Sequence, residues 1–279
     1  MISFRGSRGP SLSLDESSVF DIGSCVVDGV DLSPARAIPD DGDPRIDHSL
    51  EGFLFTCGPD HIRHPQQMAD GIGRYPLHGS FSAHPSEAIA ISSDGDDLIA
   101  AARVSVKLAD GGRSELRRQW RIKGDSGEVQ LADEVVNTGG TAFPAFLMYH
   151  INLGAKHFDQ DTALEGAMLE GGGFPWTFGE GDGGLFCVPA GHGGWAELRL
   201  GPMAAIGGKR LKVRFRTDTL PHLQVWRNQK APAHVLGIEP VSRPACWMRA
   251  ARPRAGITTA RPSGSSRSAG STATRSPSC

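Results

Sequence analysis

The chain of 279 residues has no apolar run approaching the roughly 18 residues that a membrane-spanning helix needs. Its opening stretch, Met1 to Pro10, is polar and glycine-rich and lacks the apolar segment of a secretory signal. The expectation is a soluble, cytoplasmic protein with no membrane partner. Excess charge of either sign is also missing, with 29 Lys and Arg against 31 Asp and Glu. No net field is offered to phosphate backbones, so no nucleic acid partner is expected. The five cysteines (Cys25, Cys57, Cys187, Cys246 and Cys279) are odd in number and lack CxxC spacing, which implies neither a disulfide framework nor a zinc cage. No serine sits in a GxSxG elbow, and the glycine runs at 171–173 and 181–184 neither follow a strand nor open a helix. Serine nucleophiles and phosphate-cradling loops are therefore set aside.

What is present is turn chemistry and alternation. Thirty-six glycines and 19 prolines punctuate the chain, and long stretches of 3.6-residue periodicity are missing. This pattern predicts an all-β protein of short antiparallel strands. Leu98 to Leu108 reads as a strand, Ala109 to Arg113 as its hairpin turn, Ser114 to Ile122 as the return, and Glu128 to Asn137 as the next strand. Phe143 to Leu153 is apolar and reads as a strand buried on both faces. Trp195 to Leu200, Arg210 to Thr217, Leu223 to Arg227 and His234 to Glu239 supply four more. Asp161 to Asp182, glycine-rich around Phe174-Pro175-Trp176, reads as a long loop. Trp120, Phe143, Phe146 and Trp195 lie in strand-like runs and are expected in the core. Residues 1–18 read as a flexible N-terminus, 19–244 as one β-sandwich domain, and 245–279 as a low-complexity tail. No Asp or Glu follows Glu239, and the final segment is built almost wholly of Ala, Arg, Ser, Thr, Gly and Pro, so the tail is expected to be disordered.

Two residues near strand ends carry candidate chemistry. His150 in Tyr149-His150-Ile151-Asn152 and Glu239 in Gly237-Ile238-Glu239-Pro240 are an imidazole and a carboxylate. Their ordinary pKa values, near 6.5 and 4.3, let one be protonated and the other ionised close to neutrality. His150 and Asn152 share a strand face, as do Gln224 and Trp226, because side chains alternate along a strand.

Those two tetrapeptides, together with Leu77-His78-Gly79, resemble the aldose 1-epimerase, or galactose mutarotase-like, superfamily. Leu54-Phe55-Thr56-Cys57-Gly58, Asp60-His61 and Tyr75-Pro76-Leu77-His78-Gly79 bring the chain closer to a poorly characterised branch of it. The likeness spans about residues 19–244. The resemblance implies a large antiparallel supersandwich that binds a small-molecule carbohydrate in a cleft on one sheet, without cofactor or metal. It implies that Glu239 is the general base at the anomeric hydroxyl and His150 the acid at the ring oxygen. His78 would hold the sugar, Gln224 and Trp226 would line the cleft, and Arg74 would meet a hydroxyl or an acidic group, with Asn152 and His61 completing the sugar-contacting set. The chain departs from the family pattern after Glu239-Pro240, where further strands normally follow. Edge strands left unpaired there would invite a homodimer.

Two other readings stay open. A non-catalytic carbohydrate-binding protein could use Trp226, Trp176, Gln224, Arg74 and His78 without proton transfer. A metal-dependent sugar isomerase could gather His61, His64, His78, His150 and Glu239 on a cation. Arg63 and Pro65, flanking His64, instead suggest a loop in which His61 and His64 bond to the backbone.

Overall fold

The computed structural model describes residues 1–34, 52–82, 84–231 and 233–244. The tail expected over 245–279, and most of the polar stretch between Leu32 and Leu50, lie outside the described residues. In chain order the strands are β1 (Ile2–Arg5), β2 (Ser11–Asp15), β3 (Asp21–Val27), β4 (Val30–Asp31), β5 (Leu54–Cys57), β6 (Gln66–Gln67), β7 (Arg74–Tyr75), β8 (Glu87–Asp94), β9 (Asp97–Lys107) and β10 (Arg113–Ile122). They continue as β11 (Val129–Asn137), β12 (Met148–Gly154), β13 (Ala163–Gly166), β14 (Gly173–Pro175), β15 (Gly183–Pro189), β16 (Trp195–Met203), β17 (Lys209–Arg216), β18 (His222–Asn228) and β19 (Val235–Val241). Among the described residues only three 3-10 turns interrupt them, and no helix is long and apolar enough to cross a membrane.

Three sheets build the sandwich. A nine-stranded sheet runs β1-β2-β3-β5-β12-β19-β18-β15 with β4 attached to β3. A four-stranded sheet runs β11-β10-β9-β8, and another β14-β13-β16-β17. Every pairing is antiparallel, as the turn-rich, alternating sequence predicts. Ile151, Val225 and Ile238 of the large sheet join Trp120 and Ile122 of the second sheet and Leu164, Leu198 and Phe215 of the third in one continuous apolar cluster. One face of the large sheet is thus the core face, and its opposite face is left for other work.

A buried ion network fastens the large sheet to the second one. Arg118 of β10 points inward, fully buried, and all five of its N–H groups are engaged. Nε and Nη2 donate to the Asp133 carboxylate, Nη1 to Asp21 and to the Val19 carbonyl, and Nη2 also to the Thr56 hydroxyl. Tyr149 of β12 donates its hydroxyl to Asp133 at 2.8 Å. Burial lifts the Asp21 carboxyl to about 6 even though Arg118 and Thr56 pull it down.

The structure departs from the sequence expectations in four places. Residues 1–18 do not form a loose stretch: Ile2–Arg5 and Ser11–Asp15 are β1 and β2, paired through β3 to the rest of the sheet. Within the Asp161 to Asp182 segment, Leu164 turns into the core and organises β13, with β14 beside it. The strand expected from Phe143 starts only at Met148, because Pro144 has no N–H for a ladder and Ala145 takes a positive φ of 48°. Trp120 is core, yet Trp195 is 59% exposed.

Candidate functional site

The register of the large sheet aligns chemistry from distant parts of the chain. Phe55 pairs with His150 across β5 and β12, Gln224 with Glu239 across β18 and β19, and Cys187 with Gln224 across β15 and β18. In the β12–β19 pair Met148 meets Val241 and Ile151 meets Ile238, which sets His150 opposite Glu239. Phe55, His150, Glu239, Gln224 and Cys187 therefore form one rank across five strands, on the face turned away from the core. The neighbouring rank carries Asn152, Gly237 and Trp226.

At the centre, His150 Nε2 lies 3.1 Å from Glu239 Oε1, with the two side chains 3% and 1% exposed. Gln224 donates from Nε2 to the other carboxyl oxygen, Oε2, and so fixes which oxygen faces the imidazole. The imidazole is not aligned for a hydrogen bond to Oε1. Glu239 Oε1, His150 Nδ1 and Asn152 Oδ1 are all buried without a partner in the protein. Asn152 is otherwise anchored through Nδ2 to the Gly52 carbonyl at 3.1 Å.

Rings surround the pair. Trp226 meets His150 edge-on at 5.6 Å, and His78 is tilted over it at 5.5 Å, backed by Phe55 at 6.2 Å from His78. His78 is delivered by the Tyr-Pro-Leu-His-Gly turn, in which Gly79 has φ of +92° and passes so close to the chain that a Cβ there would stand 2.0 Å from the His61 carbonyl oxygen. Leu77 packs with Ala233, Val235 and Trp226, and Ile62 with Phe55, Cys57, Met148 and Val241. The pair, 3% and 1% exposed, is shut off from water.

Removal from water sets the protonation states. Burial raises the Glu239 carboxyl to about 8, opposed only by the Gln224 hydrogen bond. Burial likewise drives the His150 imidazole well below its ordinary value, helped by His78 and opposed by Asn152. His78 falls to about 4, again chiefly through burial. Near neutrality the resting pair is a protonated carboxyl and a neutral imidazole. With Oε2 already accepting from Gln224, the carboxyl proton belongs on Oε1, facing His150 Nε2.

The remaining sequence candidates stand farther out. His61 is buried, stacked on Tyr75 at 5.0 Å and bonded through Nε2 to the His64 carbonyl at 2.8 Å, and burial lowers its pKa. Arg74 lies on the small β6–β7 hairpin with its side chain exposed. Trp176 packs edge-on against Phe158, away from the rank of site residues. Among the described residues no group of three His, Cys, Asp or Glu side chains is placed to hold a metal ion.

Sequence reasoning missed Gly237. A Cβ at that position would stand 2.7 Å from Glu239 Oε1, 2.9 Å from His150 Cε1 and 3.3 Å from the Trp226 ring. Glycine there leaves room for the pair, and its place two residues before Glu239 on the same strand face was the available signal.

Comparison with known proteins agrees with this architecture. The profile of a family described as a domain of unknown function, DUF4432, matches residues 20–168. A candidate aldose 1-epimerase from Klebsiella pneumoniae superposes with a TM-score of 0.65 at 17% identity, over 84% of this chain and 68% of that one. A galactose mutarotase related enzyme from Lactobacillus acidophilus superposes with a TM-score of 0.57 at 10% identity, over 86% of this chain and 85% of that one. At these identities the likeness establishes a mutarotase-like fold. No curated protein matches the sequence.

Proposed function

The chain belongs to the DUF4432 family, and we propose that it interconverts the anomers of an aldose or a modified sugar by acid–base catalysis at His150 and Glu239. The observation that carries this reading is the buried pair itself, an imidazole and a carboxyl 3.1 Å apart on the face of the large sheet turned away from the core. Opening a cyclic hemiacetal needs one group to take the anomeric proton and another to protonate the ring oxygen, each worth about 10²–10⁴-fold. The three buried unpartnered atoms on Glu239, His150 and Asn152 favour a hydroxyl-rich ligand, since a buried polar group without a partner costs roughly 1–3 kcal/mol.

One proton shared by the pair is enough for both directions. With the proton on Glu239 Oε1, neutral His150 is the base for the anomeric hydroxyl and the carboxyl protonates the ring oxygen. Once the proton sits on His150, the carboxylate is the base and the imidazolium the acid, which is the assignment implied by the family resemblance. The open aldehyde rotates and closes with the roles exchanged. His78, held neutral, and the Trp226 face would orient the ring, and Gln224 would hold the carboxyl in register.

Anomer exchange measured by NMR across a panel of aldoses tests the proposal. The expected result is exchange well above the buffer rate for at least one sugar; sugar binding without exchange would instead mark a carbohydrate-binding protein. A second expected outcome concerns Gly237→Ala. The added methyl displaces the Glu239 carboxyl or the His150 ring, and a misplacement of that order is expected to lower the exchange rate by about 10²-fold. An unchanged rate in a folded Gly237→Ala protein would mean that the carboxyl does not act from this position.

A further inference from the structure

The outer face of the third sheet carries a second constellation, unconnected with the buried pair. Alternation along β16 and β17 sends Ala196, Leu198, Leu200 and Phe215 into the core and turns the opposite side chains to solvent. Across the two strands the outward rungs are Trp195 with Arg216, Glu197 with Arg214, and Arg199 with Lys212. Trp195 is 59% exposed, and the guanidinium groups of Arg214 and Arg216 stand over its ring at 5.1 and 5.6 Å. Glu197 is shared between Arg199, at 2.6 Å, and Arg214, at 3.8 Å, while Arg216 pairs with Asp218.

An exposed tryptophan contributes little to holding this sheet, whose inner face already supplies the apolar contacts. A cation–π contact at an exposed site adds only a little to that. What the arrangement does provide is a flat aromatic platform with its orientation held by two arginines, ringed by hydrogen-bond donors and a few acceptors. We propose that this face is a docking surface for an oligosaccharide that contains uronic acid units. A pyranose ring lays its C–H face on Trp195 with its carboxylate taken by Arg216, hydroxyls donate to Glu197, and Lys212, two rungs along, takes the carboxylate of a following unit.

Charge complementarity selects this occupant over a densely charged polymer. Five cations (Arg199, Arg210, Lys212, Arg214 and Arg216) face three carboxylates here, and Glu165, Glu197 and Asp218 already engage the four arginines. Such a mixed surface suits a ligand bearing both hydroxyls and carboxylates, whereas a phosphate backbone gains from cations free of acidic neighbours. Trp195 was expected in the core from its strand-like context. Its parity with Glu197 and Arg199 is what turns it outward.

The full chain titrated calorimetrically with an oligogalacturonate and with a neutral oligosaccharide of the same length tests the surface. The expected result is binding of the oligogalacturonate that weakens with added salt and falls by about tenfold or more in Trp195→Ala and in the double variant Arg214→Ala/Arg216→Ala. Because Trp195 is exposed, its replacement leaves the thermal transition in place as a check on folding. Glu239→Gln should bind as the parent does, which separates this surface from the buried pair. The proposal is overturned by no binding, by binding that survives Trp195→Ala, by equal affinity for a single-stranded polynucleotide, or by a concentration-dependent dimer that Trp195→Ala abolishes.

Discussion

Replacing Glu239 with glutamine is expected to stop anomer exchange, by about 10²–10⁴-fold, while making the protein more stable in mild alkali. The two effects have one cause. In the folded protein the carboxyl titrates at about 8 rather than 4.5. Between those values the native state keeps a proton that the unfolded chain has released, so stability is lost as pH rises through the window. Above about pH 8 the full shift applies, roughly 5 kcal/mol as an upper estimate at 1.36 kcal/mol per unit. Glutamine mimics the protonated acid, keeps an oxygen for the Gln224 donor and removes that loss. At about pH 5 the native carboxyl is already protonated, so the variant should differ little there. His150 and His78 act with the opposite sign, because their lowered pKa values make stability fall as pH drops below about 6.5. Thermal unfolding at about pH 5 and pH 8, beside exchange rates for both proteins, decides the matter. A parent exchange rate in the variant removes Glu239 from the chemistry, and an equal gain at both pH values removes the buried-proton account.

Arg118→Met is expected to be the most damaging single change to the fold, costing about 3–5 kcal/mol, because it strands two buried carboxylates. Arg118 satisfies Asp21 and Asp133 at once, and both lie at or below 5% exposure in that ion pair. With the guanidinium gone, the Asp21 carboxyl, already at about 6, rises further. Its raised value means that stability is lost as pH increases, so the variant should recover part of its deficit in acid. Adding Asp21→Asn and Asp133→Asn to Arg118→Met should restore more stability than either asparagine gives alone. Urea unfolding of the single and combined variants reads this directly. A deficit that is independent of pH and unrelieved by the asparagines would point to lost packing instead.

Much of the architecture was visible in the residues because alternation is local. β9, β10 and β11 follow from apolar residues at every second position, with hairpin turns at Asp110-Gly111 and Asn137-Gly140. β13 and β14 were not visible, since four- and three-residue strands hold too few positions to show a period. β1 and β2 were hidden for a related reason: Ser11–Asp15 does alternate, but a polar, glycine-rich setting masks it. The pair itself was suggested by motif, yet its geometry depends on a register between strands nearly ninety residues apart. Its protonation was beyond local reading altogether. Burial of Glu239 and His150 depends on how distant segments, such as the turn that carries His78, close against the sheet, and no spacing in the chain encodes that enclosure.

Strands β5 and β12 are worked on both surfaces. Phe55 and His150 face the candidate site, while Thr56 and Tyr149, their chain neighbours, are tied into the Arg118 network on the other side. A slip of one residue would exchange the two surfaces, driving an imidazole among the ions and a phenol into the candidate site. The electrostatic knot therefore works as a ratchet pawl for alignment. Loosening it for easier folding would throw the proton-handling groups out of step, so endurance and reactivity in this protein must be tuned together.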